Sequence, residues 1–329
     1  MTDQHDESGR GREADKPTQI PARGWKDIVV RAWKESGQDN MSLVSAGVAF
    51  YAFLAMVPLL AAFVLSYGLF AAPATMMGHV RGLFQVLPRD AAAIIGEQLV
   101  SVTSQAASKT GLGLLFALGL ALYGAMKGAA AMITALNIAY DEDETRGFIR
   151  KTLAALAITI GAVVTGLVAV AAIGALAAVD RLLPGAPPLL PTLIRIGFWI
   201  AAAAVASGAV AALYRYAPDR EAAKWRWLTP GSIVATAGWL LMTLGFGIYT
   251  ANFGNYNATY GALGAVVVLL MWLYLSAYVL LLGAELNAEM EHQTRKDTTT
   301  GPDRPMGARD AEMADTVGAA TGTNGKKSR

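Results

Sequence analysis

The chain has 329 residues, 54% hydrophobic and 16% charged, with a formal net charge of +2 and no cysteine. Soluble domains are about 45–50% apolar and about a quarter charged, so this excess of apolar residues, gathered in blocks, points to a membrane protein. The lack of cysteine excludes disulfides, thiol catalysis and thiolate metal sites, and His5, His79 and His292 lie far apart in sequence, so no metal centre or cofactor is expected.

Residues 1–22 are polar and hold no early apolar core of the kind that marks a cleavable signal peptide. They are expected to be disordered, as is the polar stretch 293–329. In GWKDIVVRAWK (24–34), Trp25, Ile28, Val29, Ala32 and Trp33 recur at helical spacing on one face, with Lys26, Asp27, Arg31 and Lys34 elsewhere. A basic amphipathic helix with tryptophans fits a membrane headgroup region; packing against loops is the alternative. Six apolar segments follow, near 44–70, 112–136, 153–179, 193–214, 230–251 and 262–284. Each reaches the roughly 20 residues a spanning helix needs. No strand-like alternation of polarity is present, and unpaired backbone is costly in lipid, so the spans must be helical.

The expected architecture is therefore an all-α integral membrane protein. It has a six-span domain over 23–292, an N-terminal amphipathic helix and short external helices. The longest external loop, 71–111, is expected to carry one or two such helices, with Pro88 and Asp90 at a helix start and Ala91, Ile94, Ile95, Gln98, Leu99 and Val102 on one face. They either cap a cavity or fill space over the bundle. Residues 1–43, 137–152, 215–229 and the tail after 284 share one side and hold 21 of the 27 Lys and Arg. That bias predicts both termini in the cytoplasm.

A lone lysine, Lys127, interrupts the second span. A mid-span lysine costs about 2.5–3.5 kcal/mol and usually faces protein, pairs, or snorkels. Its helical neighbours Tyr123, Gly124, Gly128, Ala131 and Thr134 are small or polar, and Gly124 and Gly128 form a GxxxG pair. Lys127 is therefore expected to face protein or a cavity, with Tyr123 and Thr134 beside it. Glu285, near the inner end of span 6, is its candidate partner. A polar cavity for an anionic head group, a structural pair, and no contact at all remain three readings. Pro58 lies mid-span and either kinks span 1 or improves its packing. Asn252, Asn255, Tyr256, Asn257 and Tyr260 crowd the uncharged turn between spans 5 and 6, as a bonded hairpin or part of an outer substrate site. The acidic run Asp141–Glu144 reads as a solvated turn.

Four stretches together resemble the YihY/virulence factor BrkB family of bacterial inner-membrane proteins: SAGVAFYAFLAMVPLL (45–60), ALNIAYDEDETRGFIRK (135–151), LYRYAPDREAAKWRW (213–227) and NYNATYGALGAVVVLLMWLYLSAYVLLLGAELNAEME (255–291). Matching positions are Phe50, Tyr51, Pro58, Asn137, Tyr140, Arg146, Pro218, Tyr256, Tyr260, Gly261, Trp272, Gly283, Glu285 and Asn287. The resemblance implies six spans, a role in envelope integrity and resistance to host killing, and movement of lipid-like envelope material. The leading expectation is a transporter or flippase-like protein with membrane lipids and an anionic lipid-like substrate as partners. A non-transporting scaffold of envelope machinery is the alternative. The family has also been tied to ribonuclease BN. No histidine joins the acidic run and no aromatic-and-basic groove for RNA is visible, so no nucleic-acid partner and no catalytic residue are expected. A Walker A motif is absent as well.

Overall fold

In the computed structural model, residues 9–68, 89–106, 112–182, 187, 189–253 and 262–321 are described. Tyr256, Tyr260, Gly261 and most of the turn around them fall outside these residues. A short 3-10 turn at Pro17–Gln19 leads into α1 (Ala22–Gln38) and α2 (Met41–Gly68). Then come α3 (Arg89–Ala106), α4 (Leu112–Ala139), α5 (Phe148–Leu182), α6 (Leu189–Tyr216), α7 (Trp225–Phe253), α8 (Ala262–Glu291) and the short α9 (Glu312–Asp315). Among the described residues, α2 and α4–α8 are the six helices long and apolar enough to cross a membrane, as the hydropathy pattern predicts. Several overrun the apolar segments. Helix α8 has 30 residues, about 45 Å at 1.5 Å per residue, against a hydrocarbon core of about 30 Å.

The closest pairings are α2 with α4 and α7 with α8. Small residues set both. A Cβ built on Gly124 would stand 2.9 Å from the Pro58 ring, and one on Gly128 would stand 3.1 Å from the Ala55 methyl. Pro58 is thus packed into the gap Gly124 leaves. On α7 and α8 the contact is tighter: a Cβ on Gly231 would meet the Gly283 carbonyl oxygen at 2.2 Å, and one on Gly283 would meet the Gly231 carbonyl oxygen at 2.8 Å. The main core lies toward one end of the bundle, around Met41, Ile133, Leu136, Tyr140, Tyr214, Leu228 and Leu281. The Tyr214 hydroxyl donates to the Leu280 carbonyl at 2.6 Å and ties α6 to α8. Helix α3 packs on α2, with Leu99 buried against Val64.

That same end, termed the polar end below, carries residues 9–40, 140–147, 217–224 and 292–321. The expectation of disordered tails fails for residues 9–22 and 293–321. They are held by arginine and threonine side chains that bond backbone carbonyls, and by small apolar contacts: Ala14 and Ile20 pack with Ile28, Trp227 and Met290, and Met313 joins the main core. Arg12 donates to the carbonyls of Gln293 and Gly318, Thr294 to that of Ala14, and buried Arg309 to those of Arg295 and Ala314. Helix α1 likewise packs against α8. Its inner face is Gly24, Asp27, Ile28, Arg31, Ala32 and Ser36, leaving Val29 and Trp33 outward. So the charged Asp27 and Arg31 face the protein, in place of the purely apolar stripe read from spacing.

The α7–α8 contact makes a direct prediction. Gly283→Ala or Gly231→Ala inserts a methyl against backbone and should lower stability by roughly 1–3 kcal/mol. Gly245→Ala and Gly247→Ala, where nothing lies within 4 Å, should be neutral. Thermal unfolding of the purified protein in detergent compares them.

Candidate functional site

The last turns of α8 read GAELNAEME (283–291). Three glutamates and an asparagine at a helix end usually meet water, yet Glu285, Asn287, Glu289 and Glu291 are all buried. Burying such groups is costly unless each finds a partner, and three of the four do. Arg31 of α1 donates from Nε to Glu289 at 2.5 Å and from Nη2 to the Glu289 carbonyl at 3.1 Å. Arg220, between α6 and α7, donates to Glu291 at 2.7 Å, and Thr298 donates to the same carboxylate at 2.7 Å. The Arg220 guanidinium also lies 5.0 Å from the centre of the Tyr140 ring, and burial pushes the Tyr140 phenol well above its usual range. Asn287 accepts from the Gly231 amide at 2.8 Å and donates to the Leu228 carbonyl at 3.1 Å, bracing α7 beside Pro230.

Glu285 is the exception. It is 0% exposed, and neither carboxylate oxygen has a donor among the described residues. The carboxyl of Asp39 lies within hydrogen-bonding reach of it, with Glu289 and Asp141 adding negative charge nearby. Asp39 sits in the two-residue link between α1 and α2. The next residue, Asn40, has φ +51, a left-handed conformation that asparagine tolerates and that turns the chain sharply.

The same link borders a groove of about 530 Å³ between α1, α2 and α8. Ser36, Asn40, Ser42, Tyr274 and Tyr278 give it a polar rim, and Trp33 stands 72% exposed at its edge. Ser42 and Tyr274 hydroxyls are hydrogen-bonded at 2.9 Å, and the Tyr274 and Tyr278 rings stack at 6.2 Å. A second groove, of about 510 Å³, runs between α6 and α7 and is lined mainly by small residues and Trp225. At its mouth Arg215 lies over Trp225, 5.0 Å from the ring centre.

Two loops brace the site from below. Asn137 accepts from the Asp219 amide at 2.8 Å and donates to Glu144 at 3.2 Å. Arg146 forks onto Glu144 at 2.8 and 3.0 Å and reaches the Ala217 carbonyl, beside Pro218, at 3.0 Å. The acidic run is therefore a crosslink between the α4–α5 and α6–α7 connections, not merely a solvated turn.

Lys127 is not part of this site. It lies on the exposed face of α4 together with Tyr123 and Thr134. No contact between Lys127 and Glu285 is present. The Gly124–Gly128 pair does face protein, as expected, but the lysine side chain diverges from it and points away from the bundle interior. Phe50 and Tyr51 are also on the outside, with their rings edge to face at 5.5 Å. Trp272 donates to Thr243 at 3.3 Å, locking α8 to α7 in the apolar region. Sequence reasoning missed Arg31, Asp39, Arg220, Glu289 and Glu291. The i, i+4 pairs Glu285/Glu289 and Asn287/Glu291 were the available signal, since an acidic helix end facing arginine-bearing segments implies interlocking.

Burial pushes the Glu142 carboxyl from 4.5 up to about 7, against the opposing pull of Arg220. The folded protein holds this proton to higher pH than the unfolded chain does. The linked stability is thus full below pH 4.5 and lost as pH rises from 4.5 to about 7. Melting temperatures measured across that window should fall for the native protein and fall less steeply for Glu142→Gln.

Residues 32–307 match the family model described as Virulence factor BrkB. The ribonuclease-like protein YfkH of Bacillus subtilis (strain 168) is 32% identical over 280 residues, covering 82% of this chain and 96% of that protein. No solved structure matches the chain. The six apolar helices, the interlocked polar end and the match over most of the chain agree, and the protein belongs to the virulence factor BrkB family of multi-pass membrane proteins.

Proposed function

We propose that this protein moves an amphipathic, lipid-like component of the cell envelope across the bacterial inner membrane. The observation that carries the reading is the groove between α1, α2 and α8. It is bounded by the exposed Trp33 and by helix faces that carry large apolar side chains outward, such as Leu43. Its rim of hydroxyl and amide groups suits a head group, and its apolar wall suits a chain. Tryptophan and tyrosine at such a mouth match the chemistry of a membrane interface. The distribution of Lys and Arg supports placing the polar end, with both termini, in the cytoplasm.

The ribonuclease-like label belongs to the Bacillus subtilis relative. In this chain Glu144 is occupied by Arg146 and Asn137, and Glu142 accepts from the Glu312 amide at 3.0 Å. That arrangement supports a structural role for the acidic run. A scaffold for envelope machinery is the competing function, and a transport measurement separates the two.

Purified protein in liposomes with a head-group-labelled anionic lipid should speed movement of label between leaflets, read by an impermeant quencher. Ala46→Trp, which fills the groove from an exposed position on α2, should slow that movement severalfold at equal reconstitution. Transfer at the rate of empty liposomes for the native protein would favour the scaffold. Orientation has its own test, because the chain has no cysteine. Asp143→Cys, at an exposed loop position, should react with an impermeant maleimide in inside-out vesicles and not in intact cells stripped of their outer barrier.

A further inference from the structure

The unpartnered carboxylate of Glu285 has a consequence beyond the groove. Two carboxylates within hydrogen-bonding range cannot bond unless a proton lies between them. Glu285 and Asp39 stand in that relation, and among the described residues no guanidinium or ammonium bonds the Glu285 carboxylate. The nearest cations are already committed: Arg31 holds Glu289 and Arg220 holds Glu291. His292 lies 3.5 Å from Glu289. From α1 comes Glu35, from the α1–α2 link Asp39, from the α4–α5 connection Tyr140 and Asp141, and from α8 itself Glu289. From α6 comes the phenol of Tyr214, turned to the Leu280 carbonyl. A second negative charge here would be buried among like charges with no counter-ion. A metal ion does not fit as well as a proton does. Among the described residues, no group of three or more His, Cys, Asp or Glu is placed to hold one.

We infer that Glu285 and Asp39 form a proton-binding site in which Glu285 carries the proton and donates it to Asp39. Burial also raises the carboxyls of Asp39 and Asp141, so proton retention agrees with the surroundings on both flanking segments. The site bridges the α1–α2 link to α8. Asn40 and Met41, next in the chain after Asp39, line the groove, as does Tyr278, seven residues before Glu285. Loss of the proton sets two like charges against each other across that joint and drives the α1–α2 link away from α8. Proton occupancy therefore sets the width of the groove. On the transport reading proposed above, the proton is the coupling ion; the site itself stands on the buried, unpartnered Glu285 carboxyl beside the half-buried Asp39.

Infrared spectroscopy of the full-length protein tests this without any transport assay. The background is Glu142→Gln, which removes another glutamate holding a proton near neutrality. At neutral pH the spectrum should show a protonated carboxylic acid band that shifts when glutamate is labelled with carbon-13. The band should vanish in Glu285→Gln and change frequency in Asp39→Asn. Glutamine mimics the neutral acid, so Glu285→Gln should fold and melt no lower than the parent. Absence of the glutamate band from the parent protein overturns the proposal, even if a variant fails to fold. So does a band that survives Glu285→Gln, or one that appears only after sodium, potassium and magnesium are removed, which would make the occupant a metal cation. A silent liposome assay with the band present would refute lipid movement and leave the proton site standing.

Discussion

Everything at the polar end follows from one constraint: α8 continues past its apolar stretch and takes Glu285, Asn287, Glu289 and Glu291 into the interior. Buried charges and amides demand partners. Those partners come from segments far apart in sequence, Arg31 on α1 and Arg220 before α7. The carboxylates act as anchors onto which α1, both inner connections and the C-terminal segment are drawn. Crosslinks between the connections themselves, through Asn137, Arg146 and Asp219, then stiffen the ring. The bundle is therefore loosely described by its spans alone; its geometry is set where the helices emerge.

Within the apolar region a different rule holds. Lipid is as apolar as the helices, so contact depends on close fit and a few polar links. The Gly231–Gly283 approach, Pro58 in the hollow above Gly124, and the Trp272–Thr243 bond illustrate it. Where fit is poor, grooves open between helices, one beside the α1–α2 link and one between α6 and α7. A polar end held by bonded charges and looser apolar clefts thus coexist in one molecule.

The six spans and the family were legible because long apolar runs have a single physical solution in a bilayer. The amphipathic helix was legible from spacing, yet not its inner face: Asp27 and Arg31 look solvent-facing until Arg10 and Glu289 are placed opposite them. Lys127 was misread for a geometric reason. Residues 124 and 128 face α2, while 123 and 127 each lie about 100° away around a helix of 3.6 residues per turn, enough to point them outward. The tails were misread because side-chain bonds to carbonyls leave no periodic trace. Arg309 binding the Ala314 carbonyl has no pattern that composition detects.

The interlock also dictates an order of biosynthesis. Helices enter the membrane as the chain emerges, but Arg12, Arg31 and Asp27, all made early, find partners in Gly318, Ala319 and Thr321. Until the last span is made the N-terminal segment has the Arg10–Asp27 pair but not its contacts with α8 and the C-terminal segment. A chain cut short after α8 would lack these closing partners, so both ends of the sequence are needed to complete the polar end.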